Sequence, residues 1–250
     1  MRAAAPESIR RLALLARDLD GPVHIHVAEQ VREVDECIAA TGARPVQWLA
    51  RESLLDSRWQ LVHATHTVPA EIEDVARTGA GIVLCPATEA NLGDGLASVP
   101  AMLEAGVPLS VGSDSQVTRG WREELRLLEY GQRLQQRARN IAAAPAAGQP
   151  STAARLFERV GAGGAAAAGW KCWGLQTGAR ADLLVVDRAD SSLLGIDEDH
   201  LLDALVFSSP GRPWRDVMVA GQWRVTNHRH PGADAIASHF EAAMAQLWRP

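Results

Sequence analysis

Four short apolar runs, each followed by a stretch of helical periodicity, constrain this chain more than any other feature. They are Val23–Val27, Gln60–Ala64, Gly81–Cys85 and Pro108–Gly112. After the first, Val31, Val34 and Ile38 recur at helical spacing up to Thr41-Gly42. After the second, Pro69 opens a helix with Ile72, Val75 and Ala76 that Gly79 ends. After the third, Val99, Met102 and Leu103 lead to Gly106, and after the fourth, Leu125, Leu128 and Leu134 mark a long helix from Trp121 to Ile141. Continuous apolar strands alternating with helices predict βαβ units on a parallel sheet. Four such units are half of an eight-fold barrel; they use roughly the first 140 residues, whereas a whole barrel needs ~250.

The segment before the first strand reads as a helix starting at Pro6 or Ser8, with Ile9, Leu12, Leu15 and Leu19 on one face and Gly21-Pro22 as its stop. Glu7, Asp18 and Asp20 argue against a transit peptide, which avoids acids. Beyond the four units the character changes. Ala142–Gly148 and Gly161–Gly169 read as Ala/Gly/Pro-rich connections around a helix from Ser151 to Val160. Three strand-like segments follow, Asp182–Asp187, Asp216–Ala220 and Gln222–Thr226, with Ala220-Gly221 suited to a tight turn between the last two, and helices at Asp199–Phe207 and Ala233–Trp248 surround them. The expected organisation is a partial barrel over 1–170, a small β layer over 171–230 and a terminal helix over 231–250.

The net charge of −5 argues against nucleic acid, which asks for a clustered basic surface. No apolar run approaches the ~20 residues of a membrane span. The cysteines, Cys37, Cys85 and Cys172, are odd in number and form no C-x-x-C pair, so a disulfide framework is not expected and a reducing cytoplasm is the default. Cys85 closes the third strand run and reads as a buried strand residue, not a nucleophile.

The residue types that carry chemistry sit at the ends of these strands. His26 ends the first run and Glu29 follows three residues later; His63 ends the second; Asp114 follows the fourth in Gly112-Ser-Asp114. Barrel enzymes place their sites at the C-terminal ends of parallel strands. Imidazole and carboxylate are zinc ligands, such a metal lowers the pKa of water toward ~7, and a nearby carboxylate can shuttle the proton to a leaving nitrogen. Singly each residue has a structural reading: a strand-end histidine packed in a core, or an aspartate capping the next helix. His24 and His66 read as structural or supporting. The ordered set is what points to a hydrolase.

With these residues on the page, the chain resembles the amidohydrolase superfamily, in its metal-dependent deaminase branch. His26-Val-Ala-Glu29 matches the strand-five pattern His-x-x-Glu, His63 the strand-six histidine and Asp114 the strand-eight aspartate. The stretch Cys85–Gly95 is similar to the loop after strand seven, with Asn91 in it, and Thr177–Asp187 to the returning strand of the family's β-sandwich. The runs His24–Gln30, Thr88–Gly95 and Glu123–Arg133 resemble the formimidoylglutamate deiminase group of histidine breakdown. The resemblance implies the C-terminal half of a (β/α)8 TIM-like barrel, strands five to eight, with the returning part of a small β-sandwich. It implies one divalent metal, zinc by family habit, held here by His26 and Asp114, with two more ligands from an N-terminal half. Catalytic roles fall to Glu29, His63 and Asp114, and substrate contacts to Asn91 and to Arg2, whose guanidinium fork suits a carboxylate. The implied reaction is hydrolytic deimination of N-formimidoyl-L-glutamate, a small-molecule substrate, in the cytoplasm.

The chain departs from the family in one large respect. A first-strand His-x-His pair is not found: His24-Ile-His26 lies only 88 residues before Asp114 (114 − 26), room for about four βα units at ~30 residues each. His228 and His230 lie in the polar tail and read as solvated. Met1 therefore reads as an internal start, and the isolated chain is expected to be inactive and prone to self-association through its open barrel edges. Two other readings stay open: a sister deaminase acting on a nucleobase or nucleoside derivative, and a non-catalytic half-barrel that pairs with a partner chain or with itself.

Overall fold

A computed structural model describes residues 4–249. Arg2 lies outside the described residues. The chain divides into two compact units, the first comprising residues 1–171 and 197–208, the second 172–196 and 209–250.

In the first unit, helix α1 (Pro6–Asp18) precedes β1 (Val23–Val27), followed by α2 (Val31–Thr41), α3 (Pro45–Arg51), β2 (Trp59–His63), α4 (Pro69–Thr78), β3 (Gly81–Leu84), α5 (Pro86–Leu92), α6 (Val99–Glu104), β4 (Leu109–Val111), α7 (Trp121–Gln136) and α8 (Thr152–Ala167). The four strands form one parallel sheet in the order β1-β2-β3-β4. This is the partial parallel barrel sheet that the apolar runs predict. Because every strand is followed by a helix that returns to the same end, all four C-terminal ends meet on one edge. The core is built from Val27, Leu61, Ile82, Leu84 and Leu109 of the strands, packed against Val34, Ile72, Val75, Met102, Leu125 and Leu156 of the helices. The short helix α9 (Leu201–Asp203), continued by a π turn at Ala204–Ser208, also belongs to this unit.

The second unit carries an antiparallel sheet of β5 (Leu183–Val186), β6 (Trp214–Val219) and β7 (Gln222–Val225), in that order, and helix α10 (Ala233–Leu247). Ala220 and Gly221, with φ of 50° and 77°, make the β6–β7 turn. No helix among the described residues is long and apolar enough to cross a membrane.

Several helix faces differ from those the periodicity predicts. Helix α1 buries Ile9, Ala13 and Ala16, while Leu12, Leu15 and Leu19 of the neighbouring stripe are exposed. Helix α2 buries Glu33, Val34 and Cys37 and exposes Val31 and Ile38, and Leu134 of α7 is 81% exposed. Apolar spacing cannot see that a glutamate is buried when its carboxylate takes backbone N–H groups, and such glutamates set the inward face of α2 and α7 here. Helix α7 stops at Gln136 rather than Ile141, because Arg137 turns left-handed (φ 54°) and the Glu129 carboxylate accepts from Ile141 N and Ala142 N at 2.9 and 3.0 Å. Helix α8, conversely, runs through the Gly161–Ala167 stretch that reads as a connection.

Candidate metal and proton-transfer site

Three of the four strand ends are bent sharply. Ala28 after β1 (φ 51°), His63 and Ala64 at the end of β2 (φ 69° and 49°) and Asp114 after β4 (φ 39°) all adopt left-handed backbone without being glycine. Such residues cost about 1–2 kcal/mol each, and persist only where the surroundings enforce them, often at functional sites. Here the bends interlock: Ala64 N–H donates to Val27 O at 3.1 Å and His66 N–H to Ala28 O at 3.0 Å. The register pairs Val27 with His63, so the side chains that leave the two strands emerge side by side.

The result is a cluster. Ligand atoms of His26, His63 and Asp114 lie within 4.8 Å of one another. His26 Nε2 is 3.9 Å from Asp114 Oδ1, and the His26 and His63 ring centroids are 5.3 Å apart. Glu29 is buried beside them, its Oε1 3.6 Å from His63 Nε2. His63 is fully buried, yet its Nε2 has no hydrogen-bond partner. A buried polar atom left in that state costs free energy, which a metal ion or a reacting group would offset. Two imidazoles and a carboxylate are a donor set that zinc takes, so these residues fit a divalent metal.

The other ring nitrogen is committed. His63 Nδ1 is 3.1 Å from Glu89 Oε1, which also accepts Cys85 N–H at 2.9 Å. Burial alone pulls the His63 pKa down, but the Glu89 bond and the nearby charges of Glu29, Glu89 and Asp114 outweigh it and hold the group above its ordinary value. His63, Cys85 and Glu89 form a second, wholly buried triple. Burial, with the charges of Glu89, Asp114 and Glu124, pushes the Cys85 thiol up to about 12. Glu89 Oε1 takes both His63 Nδ1 and the Cys85 amide, so this triple braces His63.

The structure thus brings together His26, Glu29, His63 and Asp114. Asn91 is exposed on α5 and lines a cavity of about 470 Å³ with Val117, Thr118, Glu123 and Arg126. Glu33 and Glu89 were not singled out from sequence as site residues. Their only signal is an acid in the first turn of the helix after a strand, a position that also serves plain helix capping. His228, in the tail, pairs with Asp187 at 2.9 Å, and His230 Nδ1 accepts Gly232 N–H.

Comparison with known proteins decides the family. A profile of the amidohydrolase family matches residues 1–224. The chain belongs to the amidohydrolase family. Formimidoylglutamate deiminase of Pseudomonas aeruginosa is 46% identical over 247 residues, covering 99% of this chain and 54% of that protein. Among solved structures, an amidohydrolase from Brucella melitensis superposes with a TM-score of 0.90 at 42% identity, covering 99% of this chain and 53% of that one. An adenosine deaminase from Xanthomonas campestris with bound zinc superposes with a TM-score of 0.83 at 26% identity, covering 96% and 54%. The chain spans about half the length of the curated relatives it matches.

Proposed function

We propose that the complete protein carrying this segment is a metal-dependent deiminase converting N-formimidoyl-L-glutamate and water to N-formyl-L-glutamate and ammonia. The observation that carries this reading is the buried Nε2 of His63, without a hydrogen-bond partner and set among His26, Asp114 and Glu29. The substrate class is supported by the 46% identity to a formimidoylglutamate deiminase over nearly the whole chain. His26 and Asp114 would hold the metal, with His63 beside it as a third donor or as the group facing the reacting centre. The zinc in the related adenosine deaminase structure makes zinc the proposed ion. When bound, it would acidify water and polarise the group under attack.

The chain's own residues supply the rest. Asp114 takes the proton released from water. Glu29, buried and 3.6 Å from His63 Nε2, carries a proton to the departing nitrogen. His63 presents Nε2 to the reacting centre because Nδ1 is held by Glu89. Arg2 is proposed as the anchor for a substrate carboxylate, and Asn91 as a further substrate contact.

The test compares kcat/KM for N-formimidoyl-L-glutamate, guanine, cytosine and adenosine derivatives in the complete enzyme, together with Glu29→Gln. The expected result is preference for the formimidoyl amino acid. Glu29→Gln is expected to retain metal and lose roughly 10²–10⁴-fold in turnover. Preference for a nucleobase or nucleoside would move the protein to a sister deaminase.

A further inference from the structure

The proton carrier of the proposed reaction needs a fixed position, and nothing in the β1 strand itself supplies one. Glu29 is the second residue past β1 and follows Ala28, a fully buried alanine at φ 51°. Left to itself, an alanine returns from that conformation to the extended region. Glu29 would then swing away from His63.

Glu33, on the first turn of α2, opposes that return. Its Oε1 accepts Ala28 N–H at 3.0 Å and its Oε2 accepts Glu29 N–H at 3.0 Å. The carboxylate is buried, at 5% exposure. A glutamate at this helical position ordinarily reaches back to the N-cap amide. Here the N-cap is Gln30, and Glu33 reaches past it to the two preceding amides, one of them that of Glu29 itself. On its other side Ala28 is held through its carbonyl by His66 N–H. Glu33 therefore ties both peptide groups flanking Ala28, and the loop that follows His63 ties the second of them again through its carbonyl.

We propose that Glu33 is the positioning residue for Glu29: its two-point grip on the Ala28 and Glu29 amides holds the left-handed turn that aims the Glu29 carboxyl at His63. This rests on Glu29 being the proton carrier. Glu33 touches no reacting atom. Its contribution is that the proton is delivered from one fixed point, and misplacing a catalytic group by ~1 Å can cost on the order of 10²-fold in rate.

The test uses Glu33→Gln, Ala28→Gly, their combination and Glu29→Gln in the complete enzyme. Glutamine offers one acceptor oxygen and sets an amide donor against a backbone N–H. Glu33→Gln is expected to lower kcat by roughly 10- to 100-fold with KM and metal content near normal, and to speed amide hydrogen exchange at Ala28 and Glu29. Glycine occupies the left-handed region freely, so adding Ala28→Gly to Glu33→Gln is expected to recover part of kcat, whereas a residue needed only for folding would show no such rescue. Glu33→Gln at wild-type kcat beside an inactive Glu29→Gln overturns the positioning role and leaves the proposed reaction standing. An active Glu29→Gln overturns both. Loss of metal or fold in Glu33→Gln without rescue by Ala28→Gly assigns Glu33 to structure alone and also overturns the proposal.

Discussion

Glu89 holds His63 by its Nδ1 at 3.1 Å, and that single contact leaves only Nε2 to face the cluster. The same carboxylate oxygen takes the Cys85 amide at the end of β3, so the β2 histidine is oriented from α5, the helix that follows the neighbouring strand. With Nδ1–H donated to Glu89, an added proton goes to Nε2, the atom a metal would need. The His63 pKa is raised above its ordinary 6.5, so the proton competes at a higher pH than it would for a free imidazole. Metal affinity, measured in the complete protein by chelator competition, should therefore weaken as pH falls, and should begin to do so at a higher pH than a free imidazole would cause. Glu89→Gln removes one of the charges that raise the pKa, together with its charged hydrogen bond, and should move this loss to lower pH. An affinity independent of pH between 6 and 8 would count against His63 as a metal contact.

Helix α8 lies so close to β4 that an added Cβ at Gly163 would stand 1.9 Å from the Leu109 carbonyl oxygen and 2.5 Å from its carbon, whereas one at Gly164 would meet nothing within 4 Å. The two adjacent glycines should respond to alanine with opposite signs. Gly163→Ala must push the helix off backbone, which cannot move aside as a flexible side chain can, and should cost about 1–3 kcal/mol or more. Gly164→Ala only gains helix propensity, about 0.5–1 kcal/mol. Chemical denaturation of both variants checks this. Equal effects would show that the helix does not rest on β4.

How much of this was legible in the sequence follows from which forces leave a pattern. The β1 limits, Val23 and Val27, are recovered from sequence because β-branched residues alternate along the run and its two end valines are buried, although His24 and His26 between them are not. His26, Glu29, His63 and Asp114 could be picked out because strand ends in a parallel sheet share one edge. Glu33, Glu89 and Glu129 were not legible as supports, since a buried carboxylate bonded to amides looks in sequence like a solvated acid. The glycines of α8 read as a connection in sequence, yet the helix continues to Ala167 because Gly163 serves close packing against β4, not a turn. Leu12, Leu15 and Leu19 suggested a buried face, yet the helix docks through Ile9, Ala13 and Ala16.

Glu124 on α7 is buried and takes Ala87 N–H through Oε2 at 2.9 Å, while Oε1 has no hydrogen-bond partner. Burial, with the charges of Glu89 and Glu123, outweighs the Ala87 bond and raises its pKa. The folded state then holds this proton more tightly than the unfolded state. Stability falls as pH rises from the unfolded value of about 4.5 through the raised folded value, and the deficit persists above it. Glu124→Gln keeps an acceptor for Ala87 and has no charge to bury. It should stabilise the protein at pH 8, by roughly 1 kcal/mol, and give no gain near pH 4. Thermal unfolding across that range checks the sign, and a gain that grows toward acid pH would contradict it.

Three free cysteines distinguish the two candidate triples of this site. Cys85 is buried, and its thiol is pushed up to about 12 by burial and by Glu89, Asp114 and Glu124, so it stays protonated at pH 8 in the metal-free protein. Cys37 is also buried, whereas Cys172 is partly accessible. Alkylation of the native protein at pH 8, read by peptide mass spectrometry, should label Cys172 first and Cys85 only after unfolding. A protonated, shielded Cys85 leaves His63 Nδ1 to Glu89 and directs Nε2 to His26 and Asp114. Ready labelling of Cys85 in the folded protein would mean an accessible thiolate, and the His63, Cys85 and Glu89 triple would then be the stronger candidate for a metal.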